Sequence, residues 1–264
     1  MILNPIEQSI KRKIEAIGTP LKDWDIKINR GILTGCNDAF IIDEAKKEEL
    51  IKEDPKSAEI IRPILRGRDI KRYGYDFAGL YLIATHNGIP EKGIPRIKID
   101  DYPAIKRHLN KYKREINARY DKGDTPYNLR SCAYWEDFNN QKIVYREISD
   151  VMDACIVDSR FVINNKCYMI TGDHITYLIS LLNSKLFTKI ILPTANITGG
   201  KGGDFIQKIT SPIPSNDVES ILESLLKRRE KANSQQVAFI DAEVDSLICK
   251  LFGLSKVECS YIMN

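Results

Sequence analysis

The stretches RGILTGCNDAFIID at residues 30–43 and RPILRGRDIKRY at residues 62–73 carry the strongest signal for the fold. The first is a polar loop with two glycines that leads into a short apolar strand. The second surrounds one acid with five basic side chains, which predicts a surface for a polyanion because phosphate contacts supply most sequence-independent affinity for nucleic acid. The acid is Asp69, and the basic residues are Arg62, Arg66, Arg68, Lys71 and Arg72.

Positive charge is concentrated in two segments of the chain. The total net charge is +4; residues 62–72 carry +4 and residues 92–122 carry +6, so the remaining residues carry −6. Such segregation predicts a cationic face. Runs of charge are most often solvated surface, so this signal by itself leaves both interpretations open.

The composition indicates a folded protein of the cytoplasm. A hydrophobic content of 43% over 264 residues can bury a substantial core. No apolar run is long enough to span a membrane, and the first residues lack the pattern of a signal peptide. The six cysteines show no Cys-x-x-Cys pair, so we expect reduced thiols and no structural zinc site.

Periodicity predicts an α+β fold with a sheet in the middle of the chain. Apolar residues at helical spacing predict an opening helix over residues 6–17, stopped by Gly18 and Pro20. Short β-type runs follow, and two amphipathic helices lie near the C-terminus at residues 218–226 and 237–251, before a capping box at Ser255 and Glu258. The predicted strands are residues 39–43, 79–85, 142–148, 155–157, 160–164 and 167–170.

Two further helices are predicted inside the chain. Apolar positions from Ile105 to Tyr120 keep 3.6-residue spacing, which directs Arg107, Lys111 and Arg114 outward from a single helix. Residues 174–192 are apolar on nearly every side, which predicts a buried helix that ends before Pro193. The glycine-rich loop at 196–204 that follows can bring its backbone close to a phosphate or a base, although such a loop is as often a mobile surface segment.

No catalytic motif is recognisable in the sequence. It contains neither the Asn-Pro-Pro-Tyr motif nor the glycine-rich turn that an adenine methyltransferase requires. Asp25 with Glu44 and Lys46, or Asp54 with Lys56, fits a loose template for a Mg²⁺-dependent nuclease, a match that arises often by chance. A protein-interaction scaffold built on the C-terminal helices is the other alternative.

A series of short motifs resembles the TaqI-like target-recognition domain of adenine-N6 DNA methyltransferases and type II restriction-modification enzymes. The likeness runs from about residue 10 to the C-terminus. No single motif is diagnostic, but their order and spacing are jointly specific. Besides the two opening stretches, they are KIEAIGTPLKDWD at 13–25, DPKS at 54–57, YPAIKRHL at 102–109, KIVYR at 142–146, LNSK at 182–185, IP at 213–214 and DAEVDSLICKLFGL at 241–254.

The resemblance implies a module for recognising double-stranded DNA, with no catalytic residues, metal or cofactor of its own. The parent enzyme would use S-adenosylmethionine, with or without an attached Mg²⁺-dependent endonuclease. It also implies a connecting helix and linker at 1–24, a recognition domain at 25–214 and a C-terminal helical segment at 215–264. The DNA-binding residues we expect are Asn37, Arg66, Arg68, Lys71, Arg72, Arg107, Lys111, Arg114, Arg130, Asn196, Gly199, Gly200 and Lys201.

Overall fold

A computed structural model describes residues 3–147, 152–193 and 203–264. The α+β fold expected from the sequence is confirmed. The helices are α1 (Pro5–Ile17), α2 (Asn37–Phe40), α3 (Glu44–Glu53), α4 (Pro103–Asn110), α5 (Lys113–Ala118), α6 (Ile175–Leu182), α7 (Gly203–Lys208), α8 (Asn216–Glu230), α9 (Ser234–Leu251) and α10 (Lys256–Met263). The strands are β1 (Thr19–Pro20), β2 (Ile26–Arg30), β3 (Ile41–Asp43), β4 (Ile61–Leu65), β5 (Ile70–Lys71), β6 (Gly74–Tyr75), β7 (Leu80–Ile83), β8 (Lys142–Arg146), β9 (Ala154–Val157), β10 (Val162–Ile163), β11 (Cys167–Gly172) and β12 (Thr210–Ser211).

A central antiparallel sheet with strand order β2-β11-β8-β9 separates two hydrophobic cores. Successive side chains of a strand point to opposite faces. In β8, Ile143 and Tyr145 therefore enter the core that contains α1, α6 and the C-terminal helices, whereas Val144 enters the second core. Because both faces are covered there, β8, β9 and β11 are mostly apolar, whereas β2 at the edge of the sheet is half-exposed.

The second core is closed by another sheet, with strand order β10-β4-β7-β3. Its strand β4 pairs with β7 over Ile61–Pro63 and with β10 over Ile64 and Leu65. Pro63, which has no backbone N–H, therefore lies where the β10 side has no paired residue. The helices α3, α4 and α5 cover this core.

The chain termini are joined through one buried carboxylate. Glu258 in α10 accepts hydrogen bonds from Ser9 Oγ at 2.8 Å and Lys13 Nζ at 2.6 Å in α1, and from the Ser255 backbone amide at 2.7 Å. The hydrogen bond from the Ser255 amide belongs to the predicted capping box, which is confirmed. Burial alone raises the pKa of Glu258, but these donors outweigh it and lower the pKa to about 2.

Two of the helix predictions need correction. The helix expected to run from Ile105 to Tyr120 is divided into α4 and α5 at Lys111 and Tyr112, and Tyr120 is 99% exposed rather than anchored inward. The helix expected over residues 174–192 is buried as predicted, but it is broken after Leu182, and a π-helical turn follows at Phe187–Ile191. Asn183, at the break, bonds through its side chain to the backbone of Ala154.

The remaining elements agree largely with the sequence patterns. The opening helix and the two C-terminal helices are confirmed, and each of the six predicted strands overlaps an observed one. Residues 37–40 form α2 rather than the start of β3. Strands β2 and β4 were not predicted, because β2 is half-exposed and β4 contains Pro63.

The expected three-part division of the chain stays a prediction. Residues from all three parts share the core on the helical side of the central sheet: Ile10 from α1, Tyr177 from α6 and Ile248 from α9. Interactions between the parts therefore contribute to one packed unit.

Replacing Glu258 with Gln is expected to remove an acid-sensitive contribution to stability. The folded-state pKa lies below the unfolded value of about 4.3, so this stabilisation is present above that pH and is lost as the pH falls towards about 2. We expect Glu258→Gln to be less stable than the native chain at neutral pH, with the difference narrowing on acidification. Urea unfolding over this pH range measures it.

The exposed Glu15 in the same helix bundle is the control, since its pair with Lys11 is long at 3.8 Å. Glu15→Gln should keep the native pH dependence. A Glu258→Gln chain that loses stability with acid as steeply as the native chain would contradict this assignment.

Candidate nucleic-acid interface

The directions of four strands bring their carboxyl ends to one end of the molecule. β2 and β8 are both antiparallel to β11, so they run the same way. β4 and β10 are parallel to each other, and Ile32 beyond β2 forms a parallel bridge with Asn164 beyond β10. The basic residues at these ends therefore lie near one another: Arg30, Arg66, Arg68, Arg146 and Lys166.

Direct contacts join the ends of β2, β8 and β10. Arg30 Nε donates to the carbonyl oxygen of Asn165 at 2.9 Å. Glu147 lies between two cations, 3.8 Å from Arg30 and 3.4 Å from Lys166. Gly67 is also close, since a Cβ atom there would lie 3.3 Å from the carbonyl oxygen of Lys166. The four segments thus form one continuous surface.

Arg130 belongs to the same surface because it pairs with Asp121, whose backbone approaches the loop that follows β2. Its guanidinium pairs with Asp121 at 3.0 Å and is 65% exposed. Burial raises the pKa of the nearby Tyr134 to about 12, and the positive charges of Arg30 and Arg130 oppose that shift. The loop that follows β2 and precedes Asn37 also meets the segment of Tyr120, since Thr34 accepts a hydrogen bond from Arg119 and a Cβ atom on Gly35 would lie 3.4 Å from the carbonyl oxygen of Asp121. We call the whole region the strand-end surface and define it as Arg30, Asn37, Arg68, Tyr120, Arg130, Arg146 and Lys166.

Carboxylates balance part of the charge on the strand-end surface. Its five cations lie beside three acids: Asp121, Glu147 and Asp153, the last of which pairs with Arg146. In the described part of the chain Arg68 has no side-chain partner, and it is exposed. Arg68 is therefore the cation most available to a ligand.

Arg66 is held by Asp69 rather than presented freely. Its Nε and Nη2 atoms donate to the two carboxylate oxygens at 3.0 and 2.8 Å, and its backbone amide also donates to Asp69 at 2.8 Å. This bidentate pair closes the turn Gly67–Asp69. Arg62, in contrast, does not contact Asp69; it donates to Asn139 Oδ1 at 3.0 Å and to backbone carbonyls.

Arg72 points into the molecule. It donates to the carbonyl oxygen of Asn183 at 3.0 Å and pairs with Asp241 of α9. Arg229 also pairs with Asp241, at 2.7 Å, and the Tyr73 ring lies between the two guanidinium groups at 4.9 and 4.3 Å. Arg72 therefore has a structural role and connects the 66–72 segment to the C-terminal helices.

The three basic residues that we expected on one helix face do not share a continuous helix, because the helix is divided at Lys111 and Tyr112. Arg107 in α4 pairs with Glu53 of α3. Lys111 lies at the break and Arg114 in α5, and among residues 3–147, 152–193 and 203–264 neither has a side-chain partner. Both are exposed and available for electrostatic contact with a polyanion.

The other expected site residues fall into two groups. Asn37 is exposed at the start of α2, where its Oδ1 accepts a 2.6 Å hydrogen bond from Thr34, and Lys71 is exposed beside Arg68, with Asp76 at 3.8 Å. The remaining ones lie outside the described residues: Asn196, Gly199, Gly200 and Lys201.

Sequence reasoning missed three cations of the strand-end surface, namely Arg30, Arg146 and Lys166. Each stands at or next to the end of a strand, and this position was the available signal. A position at a strand end becomes informative only when the strand directions are known. Residues at opposite ends of neighbouring strands lie about 15 Å apart or more, whereas residues at the same end lie close together.

Two side chains of the nuclease alternative, Glu44 and Lys46, are engaged in other contacts. Glu44, at the start of α3, accepts hydrogen bonds from Lys47 and Tyr81, and these two donors lower the pKa of Glu44. Lys46 pairs with Glu49. Over the described ranges no group of three or more His, Cys, Asp or Glu side chains could hold a metal ion, and no helix is long and apolar enough to cross a membrane.

Comparison with known proteins places this arrangement in a family. Residues 62–209, more than half of the chain, match the family described as the TaqI-like C-terminal specificity domain. The chain belongs to this family. It is thus a specificity domain of the TaqI-like kind, and the resemblance found in the sequence is confirmed. A search of the curated proteins found no match to this sequence.

Solved structures of restriction enzymes are similar to the specificity domain. The type IIL restriction-modification enzyme MmeI, in complex with DNA, is 11% identical over 95% of this chain with a TM-score of 0.64, which shows the fold. The type IIG restriction endonuclease BpuSI is 14% identical over 95% of this chain, with a TM-score of 0.49. The specificity domain spans 37% and 34% of these two enzymes.

Replacing Asp69 with Asn should destabilise the specificity domain by about 2 kcal/mol, since Asp69 is buried and accepts three charge-assisted or backbone hydrogen bonds from Arg66. Urea unfolding gives the difference. Asp76→Asn, in an exposed residue that only approaches Lys71 at 3.8 Å, is the matched control and should leave stability unchanged. Equal effects of the two substitutions would contradict the structural role of Asp69.

Proposed function

We propose that the specificity domain recognises a short sequence in double-stranded DNA through the strand-end surface. The observation that carries this proposal is the convergence of four strand ends, which brings Arg30, Arg68 and Lys166 together beside Arg130 and Arg146. Cations grouped on one surface neutralise neighbouring phosphates, and amide or guanidinium groups among them reach base edges.

The structure supports different roles for the cations. Among the residues that the structure describes, neither the Arg68 guanidinium, which lies on a short turn, nor the Asn37 amide N–H₂ group has a hydrogen-bond partner, so both suit base readout. We assign Arg130 to the same task, because its pair with Asp121 leaves most of the side chain exposed. Lys71, Arg107, Lys111 and Arg114 are assigned to phosphate contact. Arg66 and Arg72 are assigned a structural role, because their guanidinium groups bond to Asp69 and to the carbonyl oxygen of Asn183.

The glycine-rich segment expected at residues 196–204 belongs to the same proposal. Asn196, Gly199, Gly200 and Lys201 remain our candidates for backbone or base contact, on the sequence argument that glycines let a chain approach DNA closely. The two residues that bear a side-chain donor are Asn196 and Lys201.

We further propose that the specificity domain acts with a catalytic partner. The parent enzyme would transfer a methyl group from S-adenosylmethionine to adenine N6 in the cytoplasm, with or without an attached Mg²⁺-dependent endonuclease. The family and the partial coverage of MmeI support this proposal. The partner domain could be covalently attached or separate, and exposed apolar residues on α8 and α9, Ile221 and Phe239, suit its docking.

Selection from a random duplex library tests the proposal. The isolated chain is expected to enrich one short motif, since base contacts discriminate between sequences while phosphate contacts do not. Enrichment of no motif, together with equal affinity for all duplexes, would refute sequence recognition. Mg²⁺-dependent cleavage of the library by the same chain would instead support the nuclease alternative.

Arg68→Ala and Lys111→Ala should weaken DNA binding in different ways. Arg68→Ala is expected to relax the enriched motif at one position by about 1–3 kcal/mol, because a base contact is lost. Lys111→Ala should weaken all sequences alike and reduce the slope of log affinity against log salt by about one unit. Titrations with the enriched duplex and with single-base variants at several salt concentrations measure both effects.

Lys227→Ala is the charge-matched control. Lys227 lies on α8 and pairs with Glu223 at 2.6 Å, far along the chain from the strand-end surface. Its removal should change neither the motif nor the salt slope. The same loss in all three variants would indicate nonspecific attraction and contradict the assigned roles.

A further inference from the structure

Tyr120 is an aromatic side chain at the strand-end surface that no internal contact explains. It is 99% exposed, and within the described ranges its side chain contacts no hydrogen-bond, ring or cation partner. A single exposed apolar residue is ordinary in a folded protein. Tyr120 differs in two respects: internal hydrogen bonds hold the loop that carries it, and a residue next to it in sequence contacts a cation of the strand-end surface.

The loop that carries Tyr120 is fixed from inside by the preceding residue. Arg119 is 5% exposed, and its guanidinium donates to the carbonyl oxygens of Thr34, Pro126 and Asn128. The guanidinium also lies 4.4 Å from the centre of the Phe40 ring. Burial lowers the pKa of Arg119. A buried arginine bonded in this way leaves the backbone at Tyr120 little freedom to move.

Further bonds close both sides of the loop. Lys122 forms a backbone bridge with Leu129, and its Nζ donates to the carbonyl oxygen of Asn117 at 2.8 Å. Asn128 donates to the carbonyl oxygen of Ile97 at 2.9 Å and accepts from Thr125 at 2.6 Å. The backbone that carries the exposed ring is therefore held by these bonds, so binding through the ring costs little backbone entropy.

The residue after Tyr120 contacts the strand-end surface. Asp121 pairs with Arg130, and the backbone of Asp121 approaches Gly35 in the loop that precedes Asn37. Arg114 and Lys122 are close in sequence on the same segment. Tyr120 thus precedes a residue that pairs with a cation assigned to DNA and whose backbone approaches the loop assigned to base contact.

We infer that Tyr120 inserts into the bound duplex and packs against the face of a base. This inference rests on the proposed function. An apolar ring held beside cations suits a base step, since the cations neutralise the flanking phosphates while the ring replaces part of the base stacking. A role in phosphate contact alone would not require an aromatic ring, and a structural role would require that the ring be packed.

Tyr120→Ala is expected to reduce affinity for the enriched duplex about tenfold, as for the loss of one stacked base. It should leave the salt slope unchanged, because no charge is removed. Tyr120→Phe keeps the ring and should bind like the native chain. Val257→Ala removes another exposed apolar side chain, on α10, and is the control that should bind normally. Thermal unfolding of each variant verifies that the fold is retained.

A fluorescent adenine analogue, 2-aminopurine, identifies the contact. Placed in turn at each adenine of the enriched duplex and at positions flanking it, it should brighten at one base step with the native chain and with Tyr120→Phe, because insertion unstacks that step. It should not brighten with Tyr120→Ala.

The outcomes separate this inference from the proposed function. A library that enriches no motif refutes the proposed function before Tyr120 is tested. If a motif is enriched but Tyr120→Ala binds as tightly as the native chain, the inference fails alone. A loss of affinity without any change in emission also overturns base insertion, because the ring would then contact only the backbone.

Discussion

The central sheet must bury both of its faces, and the rest of the structure depends on this constraint. Tyr145 and Ile143 contact one core while Val144 contacts the other, so a shift of β8 by one residue would exchange the two sets. The register is therefore strongly specified. Fixed register and fixed strand direction together determine where β2, β4, β8 and β10 end. The position of the strand-end surface is thus a consequence of core packing, although its own residues contribute little to that core.

Ion pairs then determine which basic side chains of this surface and of the neighbouring 66–72 segment are available to a ligand. Arg66 and Arg72 are held by Asp69 and Asp241, and both pairs are largely enclosed by protein. Arg130 and Lys166 pair with acids but remain mostly exposed, so water screens these pairs and a phosphate can replace the carboxylate at small cost. The carboxylates limit the conformations of long basic side chains before DNA arrives. Such partial preorganisation favours a defined geometry over simple charge accumulation.

Sequence patterns predicted local structure well and spatial relations poorly. The opening helix, the capping box at Ser255 and the apolar strand β8 followed from periodicity and composition. The division of the basic helix at Lys111 did not, because the apolar spacing continues through Tyr112 and Ile116. Of the site residues, Arg68 and Asn37 could be proposed from their glycine-containing segments. Arg30 and Lys166 required the strand directions, and the commitment of Arg72 to Asp241 joins residues 169 positions apart, which no local pattern encodes.

The contrast between Arg68 and its neighbours shows how a recognition surface can vary without loss of the fold. Arg66 closes its turn through Asp69, and Arg72 anchors the end of the segment to α9 beside Tyr73, whose backbone adopts a left-handed conformation at φ 62°. Between these two fixed arginines, Arg68 contributes no side-chain bond within the described structure. A different side chain at 68 would therefore change what the surface presents to a base while leaving its framework intact. The same segment thus separates the residues that build the surface from the residue that we propose reads the DNA.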